Sequence, residues 1–310
     1  MLETIDLRKT YKPNVAVENV NLYLEAGESV GLLGPNGAGK STTISMISTL
    51  IRPTSGDIKL DGHSIVTDPK RIRGVLGVVP QEIALYEELS AVENLQFFGR
   101  LYGLRGKELD KSVREALELV GLSERSKERI KTYSGGMKRR INIAAALLHQ
   151  PKIVIMDEPT VGIDPQSRNY ILETVRLLNR EKKVSVLYTS HYMEEVEQLC
   201  DRIYIMDHGK VIASGQKDEL KSILSAEDTI LLQLERACPA LTEELKKTDG
   251  IRQVAEVENG LKLIVPKQNN ILGGLFQAAE RHQAQIVNLN VQKPSLEDVF
   301  LHLTGRKLRD

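Results

Sequence analysis

Residues Gly34-Pro35-Asn36-Gly37-Ala38-Gly39-Lys40-Ser41-Thr42 fit the pattern G-x-x-x-x-G-K-[ST] in full. Glycines at three of these positions let successive backbone N–H groups turn inward around phosphate oxygens at a helix start. Lys40 supplies a point charge for β- and γ-phosphates, and Ser41 a hydroxyl for Mg²⁺. A second chemical pair is Asp157-Glu158. Asp157 suits Mg²⁺ held through water, and Glu158 suits the orientation or deprotonation of an attacking water. Ser134-Gly135-Gly136 repeats the chemistry of small residues and N–H groups at a helix start, far from the first loop. Gln81 offers a side-chain oxygen to Mg²⁺ or the attacking water and a backbone able to hinge the following segment. His191 offers an imidazole to a γ-phosphate oxygen. Tyr11 offers a ring face to a purine base, although a strand tyrosine taken alone more often packs within the fold.

These groups need strands that end where the ligand binds. Residues 29–33 form an apolar run that reads as a buried strand delivering the glycine loop, and residues 42–50 read as the helix behind it, stopping near Arg52-Pro53. Residues 153–156 are continuously apolar, as in a central parallel strand covered on both faces. That strand carries Asp157-Glu158 to the carboxyl edge, where ligands bind in open α/β sheets. Residues 75–79 and 184–189 read as further buried strands leading to Gln81 and His191. Asp164 and Pro165 give N-cap and first-turn signals for a helix reaching about residue 180. Short alternating segments before residue 33 predict antiparallel strands. Residues 82–135 read as a helical insertion: Ser90 and Glu93 make a capping-box pattern, followed by Leu95, Phe97, Phe98, Leu101 and Tyr102 on one helix. A helix from about residue 138 to 149 follows Ser134-Gly135-Gly136.

At 310 residues, the chain has room for one large α/β domain and a small second one. Lys+Arg and Asp+Glu both number 42, so no overall electrostatic footprint for nucleic acid or an anionic membrane exists, and no nucleic-acid partner is expected. No apolar run approaches the ~18 residues needed to span a bilayer. The N-terminus lacks the basic and apolar regions of a signal peptide, which predicts a cytosolic chain. Cys200 and Cys238 stand far apart and read as packed free thiols. Residues 228–293 alternate strand and helix patterns in the order β-α-β-β-α-β, which predicts a ferredoxin-like module, with Asn259-Gly260 as its hairpin signal. Leu296, Val299, Phe300 and Leu303 line one face of a closing helix, so the tail is expected to dock.

In this combination the motifs resemble those of the nucleotide-binding subunits of ABC transporters. The resemblance covers roughly residues 1–220. Residues 34–42 match the Walker A loop, Gln81 the Q-loop, Ser134-Gly135-Gly136 the signature, residues 153–158 Walker B, Val161-Gly162-Ile163-Asp164 the D-loop, His191 the H-loop and Tyr11 the aromatic A-loop. It implies an α/β P-loop NTPase of the ABC ATPase type, with a RecA-like core, an antiparallel β subdomain and a helical subdomain at about 82–135. Residues 221–310 would form the accessory module. The resemblance further implies ATP and Mg²⁺ as ligands, a homodimer that packs head to tail, and a separate membrane permease docking near residues 82–104 at the cytoplasmic face. Each ATP would lie between one subunit's Walker A loop and the signature of the other, a closed two-fold arrangement. The signature here reads Tyr-Ser-Gly-Gly-Met, not the commoner Leu-Ser-Gly-Gly-Gln, so Met137 brings no amide side chain to a ligand. That variant and the tail are similar to the type-2 exporter branch, which includes daunorubicin-resistance and antibiotic-efflux ATPases. Rival readings are a soluble ABC ATPase acting on ribosomes or DNA, and a nucleotide-gated module with little hydrolysis. The single cassette without sustained heptads argues against the first, and the presence of Glu158 and His191 argues against the second.

Overall fold

The structure, a computed structural model, describes residues 1–190, 192–224, 227–257, 260–266, 271–292 and 295–305. The chain divides into two units between Gln216 and Lys217. In the first, β1 (Leu2–Tyr11), β2 (Asn14–Val20), β3 (Tyr23–Leu24) and β4 (Ser29–Leu33) open the chain. They are followed by α1 (Lys40–Ile47), β5 (Ser55–Leu60), β6 (His63–Ser64), α2 (Lys70–Arg73) and β7 (Leu76–Val79). Helices α3 (Ala91–Leu101), α4 (Gly106–Leu119) and α5 (Gly135–Leu147) come next. The unit closes with β8 (Ile153–Asp157), α6 (Pro165–Arg180), β9 (Ser185–Thr189), α7 (Met193–Leu199), β10 (Arg202–Asp207) and β11 (Lys210–Gln216).

Two sheets result. One is antiparallel, ordered β2-β1-β5-β6 with β3 also on β1. The other is ordered β11-β10-β4-β9-β8-β7, parallel from β10 to β7 with β11 as an antiparallel edge. Its central strands β4, β8 and β9 are buried at every residue, which is why they read as unbroken apolar runs and not as alternating ones. Leu32, Ile155 and Leu187 from these strands join Leu2, Leu7 and Ile58 of the antiparallel sheet in one core. The helical layer has its own core, built on Leu95, Leu117, Ile130 and Ile141.

Two helices differ from expectation. Helix α1 begins at Lys40 and ends at Ile47, well before Pro53. Ser48 caps it and Thr49 turns left-handed at φ 60°, so a local turn terminates the helix and the proline lies beyond it. Helix α5 begins at Gly135, because the Ser134 hydroxyl accepts from the Met137 N–H and so starts the helix ahead of its glycines. Helix α6 runs from Pro165 to Arg180 behind its Asp164 cap, as the sequence predicts.

His149, just beyond α5, stacks on the Tyr102 ring with centroids 3.7 Å apart and sits 3.1 Å from the Leu76 carbonyl oxygen. Its other nitrogen, Nδ1, is buried without a hydrogen-bond partner among the described residues. Burial therefore holds the imidazole pKa below its ordinary 6.5. The sign follows: the unfolded chain takes up a proton before the folded one, so the stability contributed by neutral His149 is complete above pH 6.5 and is lost as pH falls below it. The unfolding midpoint should drop as the buffer is acidified through this window, and His149→Gln should flatten that part of the profile in a thermal melt series.

In the second unit, α8 (Lys217–Ser222) leads to β12 (Glu227–Leu234), α9 (Pro239–Lys247), β13 (Gln253–Val257), β14 (Gly260–Pro266), α10 (Leu272–Arg281), β15 (Ile286–Gln292) and α11 (Leu296–Thr304). The sheet is ordered β13-β14-β12-β15 with all pairs antiparallel, which is the ferredoxin-like arrangement. Val257 pairs with Gly260, and the hairpin residues Glu258 and Asn259 lie outside the described residues. In α11, Leu296, Val299 and Phe300 are fully buried, a capping box joins Ser295 to Asp298, and Asp298 accepts from Lys262 Nζ at 2.7 Å. Burying such side chains contributes about 1.5–3 kcal/mol each, so this helix is packed down.

Candidate nucleotide site

Strand β4 delivers the glycine loop and α1 starts at Lys40 itself. The crossing needs Gly39: its φ is 101°, and a Cβ there would lie 2.6 Å from the Ala16 carbonyl oxygen. The Lys40 ammonium folds back to donate to the carbonyls of Gly34 at 2.7 Å and Pro35 at 3.2 Å, and it lies 3.7 Å from Glu158 Oε1. Its side chain is only 5% exposed. Burial lowers its pKa, while Glu158 and Asp157 pull in the opposite direction.

At the end of β8 the backbone turns left-handed at Glu158, with φ 48°. The Glu158 N–H donates to Thr189 Oγ1 at 2.9 Å, and that hydroxyl donates to Asp157 Oδ1 at 2.8 Å. Gln81 Nε2 donates to Glu158 Oε2 at 3.3 Å. The backbone carrying Gln81 is held from behind, because the buried Arg139 guanidinium donates to the carbonyls of Pro80, at 2.6 Å, and Gln81.

Tyr11, Asn36, Gly37, Ala38, Gly39, Lys40, Ser41, Thr42, Gln81 and Glu158 line a single cavity of about 340 Å³ with Ala16. Tyr11 is 50% exposed at the end of β1, with Lys9 Nζ 5.2 Å from its ring centroid, so it is not the packed strand residue its position alone suggests. Asp157 is buried one residue behind the lining. Ser41, Asp157 and Gln81 offer hard oxygen donors only, a set that fits Mg²⁺ with water and phosphate completing its shell. His191 lies outside the described residues.

The structure places Ser134, Gly135 and Gly136 elsewhere, at the head of α5, and none of them lines that cavity. A Cβ on Gly136 would meet Ser167 Oγ at 2.1 Å and Asp164 Oδ2 at 3.1 Å, so the end of the 161–164 loop packs directly on this helix start. On Gly135, a Cβ would meet nothing within 4 Å among the described residues. In that loop Gly162 has φ 72°, the Val161 and Ile163 N–H groups donate to the carbonyls of Glu158 and Thr160, and Asp164 Oδ1 accepts from the Ser167 N–H. This bond holds the Asp164 carboxyl below the usual carboxylate range. Met137 is buried in the core of the helical layer, with Arg125 Nη1 3.3 Å from its sulfur.

Thr189 and Arg139 were invisible to motif reading. The signal for Thr189 was available: a hydroxyl at the end of a strand otherwise read as apolar. Arg139 lies among several basic residues on α5, and nothing in the spacing separates it from Lys138 or Arg140.

A phosphate loop after β4 and a carboxylate pair at the end of β8, parallel strands separated only by β9, with a Ser-Gly-Gly helix start set apart on a helical layer, define an ATP-binding cassette ATPase. The chain belongs to the ABC transporter ATP-binding protein family: residues 17–161 match the ABC transporter family and residues 215–304 match the family described as ATP-binding protein DrrA1-3-like, C-terminal domain. It is 49% identical to the linearmycin resistance ATP-binding protein LnrL of Bacillus subtilis, over all of both chains. It is 36% identical to the daunorubicin/doxorubicin resistance ATP-binding protein DrrA of Streptomyces peucetius, over 100% of this chain and 94% of that one. Among solved structures, it resembles the dimeric ATP-binding cassette MJ0796 in a post-hydrolysis state bound to ADP and Pi, with TM-score 0.64 and 29% identity over 70% of this chain and 98% of that one. The chain is accordingly a nucleotide-binding subunit and an ATPase.

Proposed function

We propose that the chain powers export through a separate membrane permease, hydrolysing MgATP between two copies packed head to tail. In this reading Tyr11 stacks on adenine, the amides of residues 36–42 and Lys40 hold the phosphates, and Ser41, Asp157 and Gln81 serve Mg²⁺. The metal, when bound, neutralises charge on the phosphate oxygens. Glu158 takes the proton of the attacking water as the bond to the γ-phosphorus forms in line and ADP leaves. His191 contacts the γ-phosphate, Ser134, Gly135 and Gly136 of the second copy close the site, and Val161-Gly162-Ile163-Asp164 report closure across the interface.

One observation carries the reading. The chain holds two helix-start phosphate binders, and the cavity at the first is lined by no residue of the second. Only a second copy brings both to one nucleotide, and the open face of Gly135 suits such an approach. Near residues 82–104, Tyr86, Phe97, Leu101 and Tyr102 are exposed, and Tyr86 and Phe97 meet edge to face at 5.0 Å, which supports an apolar docking surface for the permease. No described helix is long and apolar enough to cross a membrane, consistent with peripheral attachment at the cytoplasmic face. The relatives named for linearmycin and daunorubicin/doxorubicin resistance support outward transport of a drug-like compound.

Mixing two inactive variants tests the composite site. In Lys40→Met and Ser134→Arg heterodimers, a head-to-tail arrangement leaves one site with both elements intact and the other with both defective. Occlusion of one ATP per heterodimer, measured with radiolabelled nucleotide after rapid gel filtration, is the expected result. If each site used its own chain's signature, the mixture would occlude none.

A further inference from the structure

Behind the loops that meet the nucleotide lies a buried carboxylate that motif reading did not single out. Glu195, in the first turn of α7, is 2% exposed. Its Oε2 accepts from three hydroxyls: Thr160 at 2.8 Å, Tyr188 at 2.9 Å and Ser190 at 2.7 Å. Its Oε1 lies 3.5 Å from Arg168 Nε. The donors come from different places. Thr160 precedes the 161–164 loop and its carbonyl accepts from the Ile163 N–H. Ser190 and Tyr192 flank position 191, and Ser190 Oγ also accepts from the Tyr192 N–H at 2.9 Å. Arg168, on α6 just past that loop, lays its guanidinium over the Tyr192 ring at 4.2 Å. Burial and the carboxylate push the Tyr188 phenol well up, so it stays a donor.

An apolar residue in this position would spare the fold the desolvation of a charge. A carboxylate accepts hydrogen bonds and donates none, so hydroxyls from two loops converge on it. We infer that Glu195 is a positioning residue for hydrolysis, its carboxylate tying the entry of the 161–164 loop to the residues on either side of position 191 so that both are set by one group. The inference rests on the site reading above and adds a link that reading does not contain. Because Glu195 lies outside the nucleotide cavity, its loss should spare ATP binding and reduce turnover.

The test is steady-state ATPase kinetics on the full chain, with ATP affinity measured separately. Glu195→Ala should lower kcat by about 10–100-fold, in the manner of lost outer-shell support, while KM and the ATP Kd stay within about two-fold. Glu195→Gln, which keeps an acceptor for the hydroxyls and loses the charge facing Arg168, should recover part of that loss. Thr160→Val should lower kcat severalfold alone and little further in the Glu195→Ala background. A kcat in Glu195→Ala within about two-fold of the parent would overturn the inference, as would ATP affinity falling in step with kcat or losses that multiply in the double variant. Should Glu195→Ala fail to fold, Thr160→Val and Ser190→Ala carry the same comparison, and multiplicative losses between them count against the link. Glu158→Gln run alongside separates the two levels. Full turnover there removes the underlying site reading, whereas unaltered Glu195 variants beside an inactive Glu158→Gln remove the positioning role alone.

Discussion

Glu158→Gln should bind ATP at least as tightly as the parent chain and turn it over roughly 10²–10⁴-fold more slowly, the range expected for loss of a general base. The amide is nearly isosteric, and its oxygen can still accept from Gln81 Nε2, so the cavity keeps its shape. What disappears is the negative charge 3.7 Å from Lys40 Nζ and the capacity to take a proton. Removing that charge relieves repulsion with an incoming triphosphate, so affinity holds or rises while chemistry stops. Equilibrium ATP binding and phosphate release measured on one preparation check both halves. Turnover within about two-fold of the parent would remove Glu158 from the role of proton acceptor.

The second large effect is on binding. Lys40→Met should weaken ATP affinity by on the order of 10²–10³-fold, since charge-assisted hydrogen bonds worth about 3–4 kcal/mol in total are lost. Stability of the nucleotide-free chain should move little. In the free protein the ammonium is buried at a cost visible in its lowered pKa, and that relief works against the loss of its two carbonyl partners and of the Glu158 carboxylate 3.7 Å away. Saturating MgATP raises the melting temperature of the parent chain by mass action, and this rise should vanish in the variant while its own melt stays cooperative. A variant that melts far below the parent without nucleotide would show Lys40 to be holding the loop together.

Where a residue's neighbours in sequence are also its neighbours in space, the sequence was a sufficient guide. The Asp164 cap with Pro165 at the first turn located the start of α6, because capping is a local hydrogen-bond problem solved within four residues. The phosphate loop was legible for the same reason. The limits of α1 and α5 were not. Pro53 looked like the stop for α1, but Thr49 had already turned the chain; Gly135 and Gly136 read as a preamble to α5, but the Ser134 cap drew them into the helix. Met137 was read only for the amide it lacks, and its place in the core of the helical layer follows from packing that no local pattern encodes. Thr189, Arg139 and Glu195 act on residues from 5 to 59 positions away. Their partners are set by strand order and by the crossing of α5 over Pro80, and both emerge only once the sheet is assembled.

Thr189 stands opposite Asp157 in the β8–β9 register and touches both carboxylate-bearing residues, accepting from the Glu158 amide and donating to Asp157 Oδ1. Breathing of these strands therefore displaces the two acidic groups together. Thermal jitter at this edge is common-mode: it can carry the pair toward or away from a ligand, yet it largely cancels in the spacing between them.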